Sequence, residues 1–251
     1  MGKITGITWT NHTFNPWWGC VPVSEGCAEC YARRDSSRYG LDIFGTGKER
    51  RFFGEKHWNE PLKWNRDAEK AGEHRRVFCM SMGDLFEQSD DTRIGEARIR
   101  TYRIIEATPW LDWLLLTKRP ENIEYYVPEL WNVGYWPENI WLGYTAENRR
   151  RYEERKGFMR NLSARVKFIS VEPMLESIDL YDLSGINWVI FGAESGPKRR
   201  PCDEEWILGG IAQVHESGKK AFVKQISMDG KVSKNPEEWH PDLRVQEFPN
   251  D

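Results

Sequence analysis

The sequence predicts an α/β fold, a parallel β/α barrel or a partial (β/α)6 TIM-like barrel, on three observations. Short apolar runs alternate with amphipathic, charge-rich stretches, the rhythm of strands followed by covering helices. Some of these runs, Trp113-Leu114-Leu115-Leu116 and Trp188-Val189-Ile190-Phe191, are continuously apolar, as strands buried on both faces must be. Polar, functional-looking residues follow the runs immediately, where a β/α barrel builds its active-site face.

Taken in order, the strands are expected at Ile7–Thr10, Val77–Met82, Trp113–Thr117, Ile140–Thr145, Val166–Val171, Trp188–Gly192 and Ala221–Gln225. Helices are expected over Ala28–Tyr39, Thr92–Ala107, Pro120–Tyr126, Glu147–Leu162 and Asp203–Glu216. The helix over Glu147–Leu162 spaces Tyr152, Phe158, Met159 and Leu162 along one apolar face, as an outer helix lying on a sheet does. Residues 41–75 break the rhythm with Gly, aromatic and basic residues and read as an insertion above the barrel mouth. The barrel then spans residues 1–227, and the polar, Pro-containing stretch 228–251 reads as an irregular C-terminal cap.

Bulk properties narrow the function. A chain of 251 residues with 39% hydrophobic content can bury one sizeable core, or two small ones. It has no apolar run long enough to span a bilayer, and Met1–Thr5 lacks a signal-peptide pattern, so no membrane partner and a cytoplasmic location are expected. A net charge of −3 excludes the broad cationic footprint of a non-specific DNA-binding protein. Basic runs at Lys48-Glu49-Arg50-Arg51, Arg149-Arg150-Arg151 and Lys198-Arg199-Arg200 are local candidates for a polyanion, or else solvated faces. The 13 Trp serve core packing or stacking, with Trp17, Trp18 and Trp136 placed near Gly or Pro where a loop can present a ring.

The five cysteines are an odd number, and three of them fall in one short loop, Gly19-Cys20-Val21-Pro22-Val23-Ser24-Glu25-Gly26-Cys27-Ala28-Glu29-Cys30-Tyr31. The spacing C-x6-C-x2-C suits metal or cluster ligation better than a disulfide framework. Thiolates are preferred ligands of iron and zinc, and three protein ligands leave a tetrahedral zinc one short while leaving one iron of a cubane open. Cys79 and Cys202 are not expected to be ligands; Cys79 sits within a strand, and Cys202 after Pro201 is placed for exposure at the mouth.

The strand ends carry a second constellation: Ser81-Met82-Gly83-Asp84, Lys118-Arg119, Thr145 and Glu147, Ser170 and Glu172, Gly192 and Glu194, and Lys224. Caps and turns account for Asp84 or Thr145, but Lys118, Arg119, Glu172, Glu194 and Lys224 exceed what turns require.

These residues resemble the radical S-adenosylmethionine (SAM) superfamily. More closely, the phrases Trp9-Thr10, Phe14-Asn15-Pro16-Trp17-Trp18-Gly19-Cys20, Ser81-Met82-Gly83-Asp84-Leu85-Phe86, Leu116-Thr117-Lys118-Arg119-Pro120, Ser170-Val171-Glu172-Pro173-Met174 and Gly192-Ala193-Glu194-Ser195-Gly196 resemble a branch found in phages and prophages. The resemblance covers roughly residues 4–226. It implies a [4Fe–4S] cluster on Cys20, Cys27 and Cys30, SAM as cosubstrate, and a reducing electron-transfer protein as partner. By position, Ser81, Met82, Gly83 and Asp84 would meet the SAM amino group, and Thr145 and Glu147 its ribose and carboxylate. Ser170, Gly192 and Tyr31 would complete that site. The spacing departs from the superfamily's commonest C-x3-C-x2-C, and Glu29 stands where an aromatic residue usually precedes the last cysteine.

The activity implied is an isomerase-type rearrangement of an amino-acid-modified thymidine in phage DNA, with Lys118, Arg119 or Lys224 holding an anionic group and Glu172 or Glu194 an amine or proton. A base in a duplex must be flipped to reach such a site, and Trp17, Trp18 and Phe52-Phe53 are candidate receiving surfaces. Three alternatives stay open at this point. They are a free nucleotide or small-metabolite substrate, a non-catalytic zinc or iron–sulfur module associated with nucleic acid, and a hydrolase or lyase using Glu172 and Glu194.

Overall fold

The structure, a computed structural model, describes residues 6–249. Met1–Thr5, read above for the lack of a leader pattern, and the last two residues of the expected cap lie outside the described residues. In chain order the elements are β1 (His12–Phe14), β2 (Trp17–Trp18), α1 (Tyr31–Arg38), β3 (Arg51–Phe52), α2 (Glu55–Trp58), α3 (Glu60–Ala71) and β4 (Arg75–Cys79). They continue with α4 (Thr92–Glu106), β5 (Leu111–Thr117), α5 (Ile123–Tyr126), α6 (Glu129–Asn132), β6 (Ile140–Thr145) and α7 (Arg149–Lys156). The last are β7 (Val166–Val171), β8 (Trp188–Gly192), α8 (Glu204–Glu216), β9 (Lys220–Met228) and β10 (Lys231–Ser233).

Eight strands join in the order β1-β4-β5-β6-β7-β8-β9-β10, and β2 pairs with β3 as a separate ribbon. The fold is therefore mixed α/β with a mostly parallel sheet, the strand order a partial β/α barrel requires. The chain divides into two compact units, the first holding residues through Val23, Ala32–Leu142 and Leu162–Arg165, the second Ser24–Tyr31, Gly143–Asn161 and Val166 onward.

In the first unit β1, β4 and β5 run parallel, with His12 opposite Val77 and Arg75 opposite Leu111. The first strand lies later than Ile7–Thr10. Thr10 turns back instead, its amide reaching the Ile7 carbonyl at 3.2 Å. Its hydroxyl bonds the carbonyls of His12 (2.9 Å) and Arg76 (2.8 Å), taking the place of a ladder. The stretch 41–75 contains α3, a 12-residue helix with Pro61, Trp64 and Ala68 buried. Trp64 stacks on His12 at 4.4 Å, and Asn65 Oδ1 accepts the Trp110 amide ahead of β5 at 2.9 Å. Its apolar residues are few and far apart among charges, which hid the helical period.

In the second unit β7, β8 and β9 run parallel, with Phe168 opposite Trp188 and Trp188 opposite Lys220. Close contacts fix the packing. A Cβ at Gly143 would stand 2.4 Å from Phe168, and one at Gly210 of α8 would stand 2.5 Å from Phe191. The expected helix over Glu147–Leu162 is shorter, α7 giving way to a 3-10 turn over Gly157–Met159. Beyond Met228 the tail is more regular than the composition suggests. The strand β10 folds back antiparallel on β9, Trp239 and Leu243 are buried, and the Val223 amide bonds Val245 O at 2.7 Å. Among the described residues no helix is long and apolar enough to cross a membrane.

Candidate functional site

In the first unit the turn after β4 receives the start of the cysteine loop. Met80 adopts φ 68°, so the chain reverses within Met80–Gly83. Asn15 fixes that turn by donating from Nδ2 to Ser81 Oγ (3.0 Å) and accepting the Met82 amide at Oδ1 (2.7 Å). The Gly19 amide then donates to Met82 O at 2.8 Å, and Gly19 and Gly83 form a backbone bridge. Gly19 must be glycine, since its φ is 104° and a Cβ there would lie 2.2 Å from Ile43 O; a Cβ on Gly83 would lie 3.0 Å from Gly19 O and would push the Met80 side chain aside. Beside them the Trp17 indole N–H is buried with no hydrogen-bond partner, 3.7 Å from where that Gly83 Cβ would be.

Asp84 is buried and fully used. Its Oδ1 accepts from Thr117 Oγ1 (2.7 Å) and the Phe86 amide (3.1 Å), and its Oδ2 from the Lys118 amide (3.0 Å) and Arg119 Nη1 (3.2 Å). Arg119 Nη2 reaches on to the Val21 carbonyl at 2.6 Å. Burial works against the Arg119 charge, but Asp84, Cys20 and Glu87 outweigh it and hold the guanidinium above its ordinary value. Nearby, Arg50 pairs with buried Glu87 and donates to Ile43 O at 3.0 Å. Burial pushes the Glu87 carboxyl up despite the pull of Arg50 and Arg119, and its Oε2 has no partner.

The second unit holds Cys27, Cys30 and Tyr31 in the segment that leads into α1. Glu147, fully buried, accepts the Gly26 amide at 3.3 Å through Oε1 and Arg155 Nη1 at 2.7 Å through Oε2. The same Arg155 nitrogen donates to Thr145 O at 2.8 Å, which places Thr145 and Glu147 in a buried ion-pair layer. Glu25 is gripped by Arg151, whose Nε donates at 2.9 Å. That hydrogen bond lowers the Glu25 carboxyl from its usual 4.5 to about 2. Arg200 donates from Nη1 to Glu25 O at 3.0 Å while its Nε and backbone amide both bond Glu194 Oε2 at 2.8 Å. Burial raises the Glu194 carboxyl, yet the Arg200 hydrogen bonds overcome it and leave the group below its ordinary value.

Just past the end of β7, Glu172 forms an ion pair with Lys224, each largely but not wholly buried; β9 runs on to Met228, so Lys224 lies within the strand and not at the end expected from Ala221–Gln225. Gly192 lies against them, where a Cβ would meet Glu172 Cγ at 3.3 Å and Gln225 Cγ at 3.6 Å. Gln225 donates to Ala193 O at 2.6 Å, and its Oε1 is buried without a partner. Ser170 is buried, and its carbonyl accepts the Ala146 amide at 2.9 Å.

Of the five residues expected to act on substrate, Arg119 and Glu194 are thus engaged by Asp84 and Arg200, whereas Glu172, just past β7, pairs with Lys224 within β9. Lys118 is half-buried beside Asp84. The residues whose partners the sequence did not reveal are Asn15, Arg50, Glu87, Arg151, Arg155 and Arg200. Arg50, Arg151 and Arg200 belong to the basic runs, and carboxylates hold all three. Cys202 is buried rather than exposed, and burial pushes its thiol up to about 12. Trp17 and Trp136 are core residues, while half-buried Trp18 carries the Arg51 guanidinium 4.8 Å from its ring centre.

All five cysteines are free thiols, Cys20, Cys27 and Cys30 half-buried and Cys79 and Cys202 buried. Three half-buried thiols in one loop are a donor set that suits an iron–sulfur cluster. Among the described residues, no three His, Cys, Asp or Glu side chains are gathered as a metal site.

A family model described as a protein of unknown function (DUF5131) matches residues 4–241. The chain belongs to the DUF5131 family. No curated protein matches it. Among solved structures, a spore photoproduct lyase mutant is similar to this DUF5131 chain with a TM-score of 0.46 and 13% identity, covering 76% of this chain and 59% of that one. The DUF5131 chain therefore spans less than two thirds of that protein's length.

Proposed function

We propose that this DUF5131 protein is a radical SAM enzyme whose Cys20, Cys27 and Cys30 hold a [4Fe–4S] cluster. The reading is carried by three half-buried free thiols, spaced C-x6-C-x2-C, in a loop that precedes α1 in a β/α fold. When bound, the cluster and SAM supply a 5′-deoxyadenosyl radical able to remove a hydrogen atom from an unactivated carbon. The Ser81–Gly83 turn, which Asn15 holds in shape, would meet the SAM amino end. Glu172 and Lys224, an ion pair beside Gly192, orient the substrate: Lys224 binds an anionic group, and Glu172 binds an amine or holds a proton.

For substrate we propose a nucleobase, most concretely an amino-acid-modified thymidine that is isomerised in phage DNA. Support comes from the β2–β3 ribbon, two residues from Cys20. There Arg51 lies 4.8 Å from Trp18 and 5.4 Å from Phe53, and Arg93 lies 4.9 Å from Phe52. Arginine stacked on aromatic rings offers bases a platform and phosphates a charge. Arg51→Ala is expected to weaken single-stranded DNA binding severalfold, read by fluorescence anisotropy at two salt concentrations. Equal binding by the variant would remove this support and favour a free nucleotide or metabolite.

The cluster is tested by anaerobic reconstitution with iron and sulfide. The expected product is brown protein with about four irons per chain, whose reduced EPR spectrum changes when SAM is added. Each of Cys20→Ala, Cys27→Ala and Cys30→Ala should lose that spectrum, and a colourless protein binding one zinc would contradict the proposal.

A further inference from the structure

One arrangement recurs three times around the cysteine loop. A buried carboxylate braces an arginine, and the arginine donates to a main-chain carbonyl of the loop or of the segment packed on it. In the first unit Asp84 braces Arg119 on Val21 O at 2.6 Å, and Glu87 braces Arg50 on Ile43 O at 3.0 Å, the carbonyl that a Cβ on Gly19 would strike. In the second unit Glu194 braces Arg200 on Glu25 O at 3.0 Å. A fourth anchor has the opposite polarity: Arg155 braces Glu147, which accepts the Gly26 amide. Asp84, Glu87, Glu147 and Glu194 are each at most 5% exposed, so these groups have given up water to be paired.

We infer that these braced arginines and Glu147 are positioning residues that set the backbone course of the cysteine loop in the protein without its cluster, so that assembly has to gather the thiols, which are not gathered among the described residues, but not to order the chain. A chain lacking such anchors would have to order a thirteen-residue stretch, Gly19 to Tyr31, at the moment of binding, and ordering costs affinity. The geometry also bears on two identities. A Cβ at Gly26 would crowd Glu147 Oε1 at 3.0 Å, which Arg155 holds in place, and the acidic Glu25 meets Arg151 from α7. The inference rests on reading the loop as the cluster site.

The test is hydrogen–deuterium exchange on the anaerobic, cluster-free full-length protein, followed by reconstitution and iron analysis. The variants are Gly26→Ala, Arg200→Gln and the more exposed Glu25→Gln, with Arg160→Gln, at a surface pair with Asp182, as control. Amides of residues 24–30 are expected to exchange about tenfold faster in the three variants, as loss of one well-made anchor implies. Melting temperature should hold in Glu25→Gln, and iron uptake should fall at least twofold in all three. Unchanged exchange in Gly26→Ala and Glu25→Gln would overturn the inference, as would faster exchange across the whole chain. Wild-type protein that loads iron while its variants exchange normally refutes the anchors alone. Variants that loosen the loop of a protein binding no iron refute the cluster site and leave the anchors standing.

Discussion

Glu25 shows how much a single surface residue contributes. Its carboxyl is lowered to about 2 by the Arg151 hydrogen bond, so the folded state binds its proton less readily than the unfolded chain does. The stabilisation is therefore present above the usual carboxyl range near 4.5 and is lost as pH falls toward 2. Solvent screens this pair, so the effect is local. The amide resonances of Gly26 and Cys27 should shift across that window in the wild type and stay flat in Glu25→Gln, as measured by NMR titration. A titration near 4.5 in the wild type that is absent from Glu25→Gln would show that Arg151 does not hold this carboxylate. At this scale the sequence was legible where chemistry is local: three cysteines in one loop declare themselves. It was opaque where partners are distant, because Glu25 and Arg151 are 126 residues apart and Arg119 and Val21 are 98 apart. Charges at strand ends pointed to a polar mouth, but nothing in their order revealed that Asp84 already uses Arg119 and Arg200 already uses Glu194.

Among the elements, α7 is built against the preference of its own helix terminus. Arg149, Arg150 and Arg151 fill the first turn, where the helix dipole disfavours cations. Asn148 offsets this by accepting the Arg151 amide at 2.9 Å, and Glu176 by accepting the Arg149 amide at 2.8 Å. What the placement secures is the reach of Arg151 to Glu25. Asn148→Ala should destabilise the protein by about 1 kcal/mol in urea unfolding and loosen residues 24–27 in exchange; loss of stability without local loosening would separate the cap from the loop. In β6, Gly143→Ala forces a methyl onto Phe168, and a loss of about 1–3 kcal/mol is expected from the same unfolding curves. Strands such as β5, β6, β7 and β8 were readable because they are continuous apolar runs, whereas β1 was not, since Ile7–Thr10 has strand composition but is folded by the Thr10 hydroxyl. Helix α3 escaped because its buried positions, Pro61, Trp64 and Ala68, are separated by charge.

For the whole molecule, the repeating strand–helix grammar predicted a mostly parallel α/β sheet, and the eight-strand order agrees with it. The details that pattern could not supply are the antiparallel turn-back of β10 and the division into two compact units. The net charge of −3 leaves nucleic-acid contact to local features such as the β2–β3 ribbon, where arginines lie on aromatic rings. The central claim is radical SAM chemistry, and 5′-deoxyadenosine formation tests it most directly. Anaerobically reconstituted, chemically reduced protein should convert SAM to 5′-deoxyadenosine and methionine, with the Cys27→Ala variant at background. Iron-loaded wild-type protein that forms no more 5′-deoxyadenosine than Cys27→Ala would contradict the account.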